Sequence, residues 1–481
     1  MHPRRRTGLL LAAALVFTLQ PAWAQAPTGT LSGRVVSSNG ESLPGVTVSV
    51  SSPNLQGTRS TVSSTTGAYH IPLLPPGTYA VSFDLTGFQT VQRTQAVAGT
   101  QNVVLDVTLA LAALSVNVEV VGQAQPFVAT AQVATNFKQD LMAALPSNRT
   151  IDAVLLMAPS VHATGPRGAF SIAGGQSYEN LYTLNGAVIF ENLRGSAYPL
   201  YIEDALQEVT VATAGVSAEY GRFNGGMVSA VTKSGGNIFS GSFRTSFAND
   251  YWRSLTPAAN DPKRTTAPHP ATNPMYEATF GGPLSRERLW FFGATRIKNE
   301  ETARETLITR IPYIRTNDEK RYEGKLTFAP RPNHSLQASY IAIDQVQANF
   351  TSQLVMDTAS LADQRQPSDL LSLRYSGIVS PNFSVEVQYS RRHLTLDTGA
   401  PTREKVGGTL LIDGARNFRY WSPTFCGMCE DERRDNDDVI AKGSYFLPTR
   451  ALGAHHLVFG YDRFNDKIFQ NAYQSGSDYR I

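Results

Sequence analysis

Apolar and polar residues alternate with a period of two along most of this chain of 481 residues, so strands are its dominant predicted element. In residues 28–112, Leu31, Gly33 and Val35 share one strand face, and Val46, Val48 and Val50 share another opposite Thr47 and Ser49. Tyr79, Val81, Phe83 and Leu85 repeat the pattern, as do Val103, Leu105, Val107 and Leu109. Asn39-Gly40, Thr66-Gly67, Pro75-Pro76-Gly77 and Thr86-Gly87 are turn sequences between these runs. The strands leave no room for helices, which predicts about seven strands in two packed sheets. Tyr69, Tyr79, Phe83 and Phe88 suit core positions better than a sugar-stacking surface.

The alternation sharpens in residues 239–481. Leu371, Leu373, Tyr375 and Val379 oppose Ser372, Arg374, Ser376 and Ser380, while Phe383, Val385, Val387 and Tyr389 oppose Ser384, Glu386, Gln388 and Ser390. In a soluble sandwich the polar face would meet solvent; in an outer-membrane barrel it lines the lumen and aromatic residues gather at the interfaces. Trp252, Trp290, Phe291 and Phe292 near strand ends suit the barrel. Long polar connections, Asp250 to Pro274 and Gly399 to Asp437, alternate with short turns such as Ser380-Pro381-Asn382. That asymmetry is expected of extracellular loops and periplasmic turns.

Between these units lie two short helical patterns, Asp140 to Leu145 and Thr150 to Met157. Pro146 ends the first; Thr150 can cap the second, whose Ile151, Val154, Leu155 and Ala158 share a face. Tyr182 to Gly186 is a strand running into an Asn-Gly turn, a hairpin signal. Gly174, Gly175 and Gly186 allow positive φ or close backbone approach. Then comes VTVATAGVSAEYGRFNGGMVSAVTKSGGNIFSG, Val209 to Gly241, in which two apolar strands flank a Gly-rich turn before the pattern breaks at Lys233 to Asn237. Together with Ile172-Ala173-Gly174-Gly175 and Leu184-Asn185-Gly186, this stretch resembles the plug domain of TonB-dependent outer-membrane receptors of the Oar-like type.

On that resemblance the plug occupies 135–238, with motif positions Gly174, Gly175, Asn185, Gly186, Glu219, Tyr220 and Gly221. Ala173 stands where the family usually has Arg, which puts one bridge to the barrel wall in doubt. A buried Glu219 would need a partner, and Arg222 is the nearest in sequence. The order GRVV, LPGVTVSV, TTGAYHIPLLPPGTYAVSF likewise resembles the carboxypeptidase regulatory-like domain, a non-catalytic sandwich with some carbohydrate-binding relatives. Ser115 to Val121, with Val116, Val118 and Val120 on one face, reads either as a last sandwich strand or as a TonB box in the connector 113–134. In the second case the periplasmic protein TonB would bind it by strand addition. Loops His162 to Ala169 and Phe190 to Tyr201 would form the plug apex, with Arg167, Arg194, Tyr198 and Tyr201 facing a ligand.

The expected fold is therefore mainly β: a sandwich, a small α+β plug and the first part of a 22-stranded barrel. Only on the order of eight to ten barrel strands are read before Ile481, whereas plugged receptors have about 22, so the chain reads as the N-terminal part of a longer receptor. Residues 1–24 read as a secretory signal peptide: Arg4 to Arg6, an apolar run Leu9 to Leu19 and Ala22-Trp23-Ala24. Removing it takes three arginines and no acids, leaving 42 − 3 = 39 basic against 39 acidic residues, which gives no argument for a nucleic-acid partner. Cys426 and Cys429, close together in an exported chain, suit a local disulfide better than a metal site, in a loop running into the charged stretch Glu430 to Asp438. No nucleophile–base pair, hydrolase or nucleotide motif occurs, and adjacent His455 and His456 would point to opposite faces. The expected protein is a receptor without catalytic residues, metal or cofactor, in contact with outer-membrane lipid, TonB and a small-molecule, oligosaccharide or peptide ligand. The alternative is a carbohydrate-binding or adhesive outer-membrane protein that does not transport.

Overall fold

The computed structural model describes residues 28–112 except 56 and 100, 132–252 except 145–149, 166–167, 192–195 and 198–199, and 269–350 except 307–308. It also describes residues 358–473 except 359–360, 398–410, 416–417, 421–427, 430, 450–452 and 471. The signal-peptide segment, Val116, Val118, Val120, Arg167, Arg194, Tyr198 and the side chains of Cys426 and Cys429 lie outside the described residues.

Eight strands form the sandwich. They are β1 (Gly29–Ser37), β2 (Thr47–Ser51), β3 (Arg59–Val62), β4 (Ala68–Leu74), β5 (Gly77–Asp84), β6 (Val91–Val97), β7 (Asn102–Val104) and β8 (Val107–Leu109). One sheet runs β3-β2-β5-β6; in the other β1 lies between β4 and the short strands β7 and β8, both parallel to it. The run from Val103 to Leu109, expected as one strand, is thus two, because the chain steps from one end of β1 to the other while keeping its alternation. Val103, Leu105, Val107 and Leu109 all remain buried. Tyr69, Tyr79 and Phe83 are almost wholly buried in this core, and Phe88 packs at its margin. The Tyr69 ring meets Phe83 edge-on at 5.5 Å, and its hydroxyl donates to the Leu105 carbonyl at 2.6 Å.

The second unit is a five-stranded sheet built from β9 (Val133–Lys138), β10 (Leu181–Leu184), β11 (Ala187–Val188), β12 (Leu206–Ala214) and β13 (Met227–Thr232), in the order β11-β10-β13-β12-β9. Two short helices, α1 (Gln139–Ala144) and α2 (Ile151–Leu155), pack on it. The Thr150 side chain caps α2, accepting from the Ala153 amide at 3.2 Å, and Ile151, Val154, Leu155 and Ala158 are all buried.

Nine long strands then form an antiparallel meander: β14 (Ser240–Ala248), β15 (Asn273–Ser285), β16 (Leu289–Glu305), β17 (Pro312–Arg331), β18 (His334–Phe350), β19 (Ser368–Ser380), β20 (Phe383–Leu396), β21 (Glu432–Thr449) and β22 (Gly453–Phe469). A short strand, Ala362–Arg365, adds to β18 as the tenth. Among the described residues β14 and β22 do not pair, so the sheet is open. Short connections at one rim alternate with long ones at the other. In β17 the buried residues are Glu319, Arg321, Glu323, Lys325, Thr327 and Ala329, while Tyr322, Leu326 and Phe328 are 50%, 48% and 43% exposed. A sheet with its charges inside and its apolar side chains outside is the inverse of a soluble one and matches a wall between lipid and lumen.

Two expectations are corrected here. Glu432 to Asp438 lies in β21 and not in a loop; Glu432, Arg434, Asn436 and Asp438 are buried toward the interior, which is how a charged run becomes a strand in an inside-out sheet. Trp290 and Phe292 face inward and only Phe291 joins the outer aromatic cluster with Phe239 and Phe280. Trp290 does so because its indole N–H reaches Asn237 Oδ1 at 2.8 Å. Leu326→Arg on the outer face should destabilise the chain in lipid vesicles by about 2–4 kcal/mol if it lies near the bilayer midplane, whereas Leu326→Phe should be close to neutral. Chemical denaturation measures both, and equal stability of the two variants would contradict the orientation of β17.

Candidate functional site

The plug sits on the inner face of the wall, and the seam between them is polar. At the Asn185-Gly186 turn both residues have positive φ, 51° and 84°, the geometry of a tight hairpin of the primed type. This joins β10 to β11 with Leu184 opposite Ala187. The turn also aims the Asn185 side chain at the end of β13: its Oδ1 accepts from the Thr232 amide at 2.9 Å and its Nδ2 donates to the Thr232 hydroxyl at 3.0 Å. That hydroxyl donates in turn to the Glu323 carboxylate on β17. Lys325 Nζ donates to the Thr232 hydroxyl at 2.6 Å and to the carbonyls of Thr232 and Lys233 at 3.0 and 2.9 Å, and lies 3.9 Å from Glu323. All four side chains are buried.

A second knot lies along the same seam. Arg321 clasps Glu319 through two hydrogen bonds of 2.7 Å and donates to the Tyr201 carbonyl at 2.5 Å. Arg296 pairs with Glu203 of the plug and lies 3.6 Å from Glu319, and Arg244 reaches Asp204 at 3.1 Å. Tyr201, expected at a ligand-facing apex, is buried instead: its ring lies under the Arg321 guanidinium and its hydroxyl accepts from the Ile151 amide.

The Glu219-Tyr220-Gly221 motif is the third. Glu219 is exposed and does not use Arg222; it pairs with Lys442 on β21 at 2.7 Å, and Lys442 also approaches Glu386 at 3.6 Å. Arg222, in a left-handed conformation, turns to Asp462 at 3.0 Å and stacks over Phe464. Tyr220 packs against the plug core, and burial raises its hydroxyl well above the usual tyrosine range. Gly175 is needed for space, since a Cβ there would lie 2.6 Å from the Gly225 Cα. Gly174 takes positive φ, whereas a Cβ at Gly221 would meet nothing within 4 Å. Ala173 is exposed in a left-handed turn, so the expected loss of an arginine there coincides with wall bridges made by other residues.

The sandwich docks against the short-turn rim of this assembly. Its Gly99 amide donates to Glu208 Oε1 in β12 at 2.8 Å, and the Thr28 hydroxyl approaches Glu386 at 3.5 Å. The His70 ring stacks on Phe446 of β21 at 4.6 Å and lies 5.1 Å from the His456 ring. Burial raises the Glu208 carboxyl, opposed by the hydrogen bonds it accepts. Burial, with His456 next, pushes His70 down to about 3. Sequence reading missed Glu323, Lys325, Glu319, Arg321 and Lys442; charges at every second position of Glu319 to Lys325 were the available signal.

A plug-and-wall arrangement of this kind, an α+β unit tied by buried charges to the polar face of an open inside-out meander, is the fold of TonB-dependent outer-membrane receptors. The chain is similar to the siderophore receptor PirA of Acinetobacter baumannii and the outer-membrane transporter YddB of Escherichia coli. Each matches with a TM-score of 0.53 and 15% identity over 70% of this chain and 48% of that one. In sequence it is similar to the TonB-dependent transporter Oar of Myxococcus xanthus, 32% identical over 311 residues that cover 60% of this chain and 28% of Oar. The carboxypeptidase regulatory-like domain family matches residues 30–110. The chain spans just over a quarter of the length of that curated relative. These likenesses and the outward apolar face of the wall place the chain in the outer membrane.

Lys325→Ala should strand Glu323 as an unpaired buried charge and cost about 3–5 kcal/mol. The double change Glu323→Leu with Lys325→Met should cost less than the single one. Unfolding midpoints of the full chain in detergent test this, and a single-variant loss below about 1 kcal/mol would show that the seam is solvated. His70 predicts a pH dependence: an undocked imidazole binds a proton below about 6.5, whereas the docked one resists until about 3. Stability of the docked sandwich should therefore be lost as pH falls through that window, and His70→Phe should flatten the loss. Limited proteolysis of the sandwich in the full chain at pH 7.5 and 4.5 (two arbitrary points on either side of about 6.5) reads it out.

Proposed function

We propose that the chain is the sandwich, plug and first wall section of a TonB-dependent receptor that imports a ligand with energy from the inner-membrane proton gradient. What carries the reading is the plug's position on the polar face of an inside-out sheet, held by buried charge and hydrogen-bond clusters beside smaller shared apolar patches. Such an interface holds firmly when dry and complete, and weakens sharply once water enters, because each group then exchanges a protein partner for a solvent one. A plug that has to be moved by force suits that kind of attachment. Short turns and the docked sandwich would lie at the periplasmic rim, and the long connections would meet a ligand outside. Siderophore, oligosaccharide and peptide all remain compatible ligand classes.

The pulling point in this reading is the connector. It leads directly into β9, the edge strand of the plug sheet, so tension on Ser115 to Val121 would reach β9 before any other plug element. Strand addition to TonB by Val116, Val118 and Val120 needs an extended, unpaired segment. Deleting Ser115 to Val121 should reduce affinity for the periplasmic domain of TonB at least tenfold and abolish uptake, while the barrel keeps its resistance to unfolding in cold detergent. Unchanged affinity in a folded deletion variant would assign the segment to the sandwich instead. The carbohydrate-binding alternative has no comparable support, since Tyr69, Tyr79 and Phe83 are committed to the sandwich core.

A further inference from the structure

We infer that Glu208 is a shared latch through which the sandwich is locked onto the plug, so that displacement of β9 and release of the sandwich are one coupled event. Glu208 is 2% exposed and sits in β12 opposite Lys138, the last residue of β9. Its carboxylate accepts three hydrogen bonds from three different places: the Gly99 amide of the sandwich at 2.8 Å, Asn136 Nδ2 of β9 at 3.0 Å and the Thr210 hydroxyl of its own strand at 3.4 Å. All three donors are uncharged and act together with the charge of Lys138 across the strand pair, so no single one compensates for burying the carboxylate; the set does.

That makes the two outer contacts interdependent. If β9 leaves, Asn136 leaves with it, and the carboxylate gains by turning to water and abandoning Gly99. If the sandwich leaves, water enters beside Asn136 and loosens β9 at its far end. The sandwich backbone also approaches the junction between plug and wall: a Cβ at Gly236 would lie 3.2 Å from the Pro53 carbonyl oxygen. The docked sandwich therefore covers the Glu208–Lys138 end of the plug sheet, opposite the Val133 end at which the connector joins, and its release is part of opening the path. What would trigger opening rests on the transport reading; the latch itself is a property of the resting chain.

The test uses the full chain in outer-membrane vesicles with Cys426 and Cys429 replaced by Ser, no ligand and no TonB. Cysteines are placed at Pro53→Cys and Gly236→Cys, and the rate of forming the cross-link under mild oxidation is followed. The parent should cross-link rapidly. Glu208→Ala should slow it about tenfold, the loss expected for one charge-assisted hydrogen bond, and Glu208→Gln should fall between. Asn136→Ala, which removes the β9 donor and leaves the Gly99 hydrogen bond, should slow it as well; that result separates a coupled latch from simple contact. A parent that does not cross-link, or Glu208→Ala at the parent rate, would overturn the latch. Slow cross-linking in Glu208→Ala but not in Asn136→Ala would overturn the coupling. Should Glu208→Ala fail to fold, Glu208→Gln and Asn136→Ala decide between the same outcomes.

Discussion

A wall that turns its charges inward creates a demand that the wall cannot meet alone. Glu319, Arg321, Glu323 and Lys325 project from one face of β17 into an interior where a lone ion would be strongly disfavoured. Some of that demand is met along the strand, as in the Arg321–Glu319 clasp. The rest is met by the plug, which offers β17 main-chain carbonyls at Tyr201, Thr232 and Lys233, and offers Arg296 of β16 and Arg244 of β14 the carboxylates of Glu203 and Asp204. The plug is shaped as it is because it has to present those acceptors in register with a strand made about a hundred residues later.

This constraint also explains why local and distant features differ in legibility. The Asn185-Gly186 hairpin, the Thr150 cap and the core stripe of α2 follow from backbone conformation and side-chain reach within a few residues, and the residues themselves announce them. The sandwich core is readable for a related reason: burial on one face of each strand imposes alternation. Glu219 shows the limit. Its partner Lys442 is 223 residues away, and the nearest arginine in sequence faces Asp462 instead. Dense charge in Glu432 to Asp438 suggests a loop because it usually marks solvent; in β21 it marks the lumen, a distinction visible only once the sheet's orientation is known. Residue type suggests an interfacial Trp290, but one acceptor, Asn237, is enough to turn it inward.

The three motifs taken from family resemblance do different work. Gly175 is sterically required, Asn185 organises the Thr232–Glu323–Lys325 cluster, and Glu219 joins plug to wall through an exposed pair. The carboxypeptidase regulatory-like domain is not an appendage beside this machinery. Its Gly99 and His70 touch the plug and the wall directly, so its position and that of the plug are set together.

One packing detail bears on how such a chain is made. The plug's apolar core is not self-contained: Ile341, Ile343 and Leu370, on β18 and β19, belong to the same cluster as Leu155, Ile172 and Val209. Synthesis delivers the plug first and these three residues more than a hundred positions after most of its strands. During that interval the growing polypeptide carries an unfinished hydrophobic surface across an aqueous compartment, where it has to be kept from clumping. Maturation of the plug is thereby tied to assembly of the sheet around it, and an early-emerging domain acquires its final shape late.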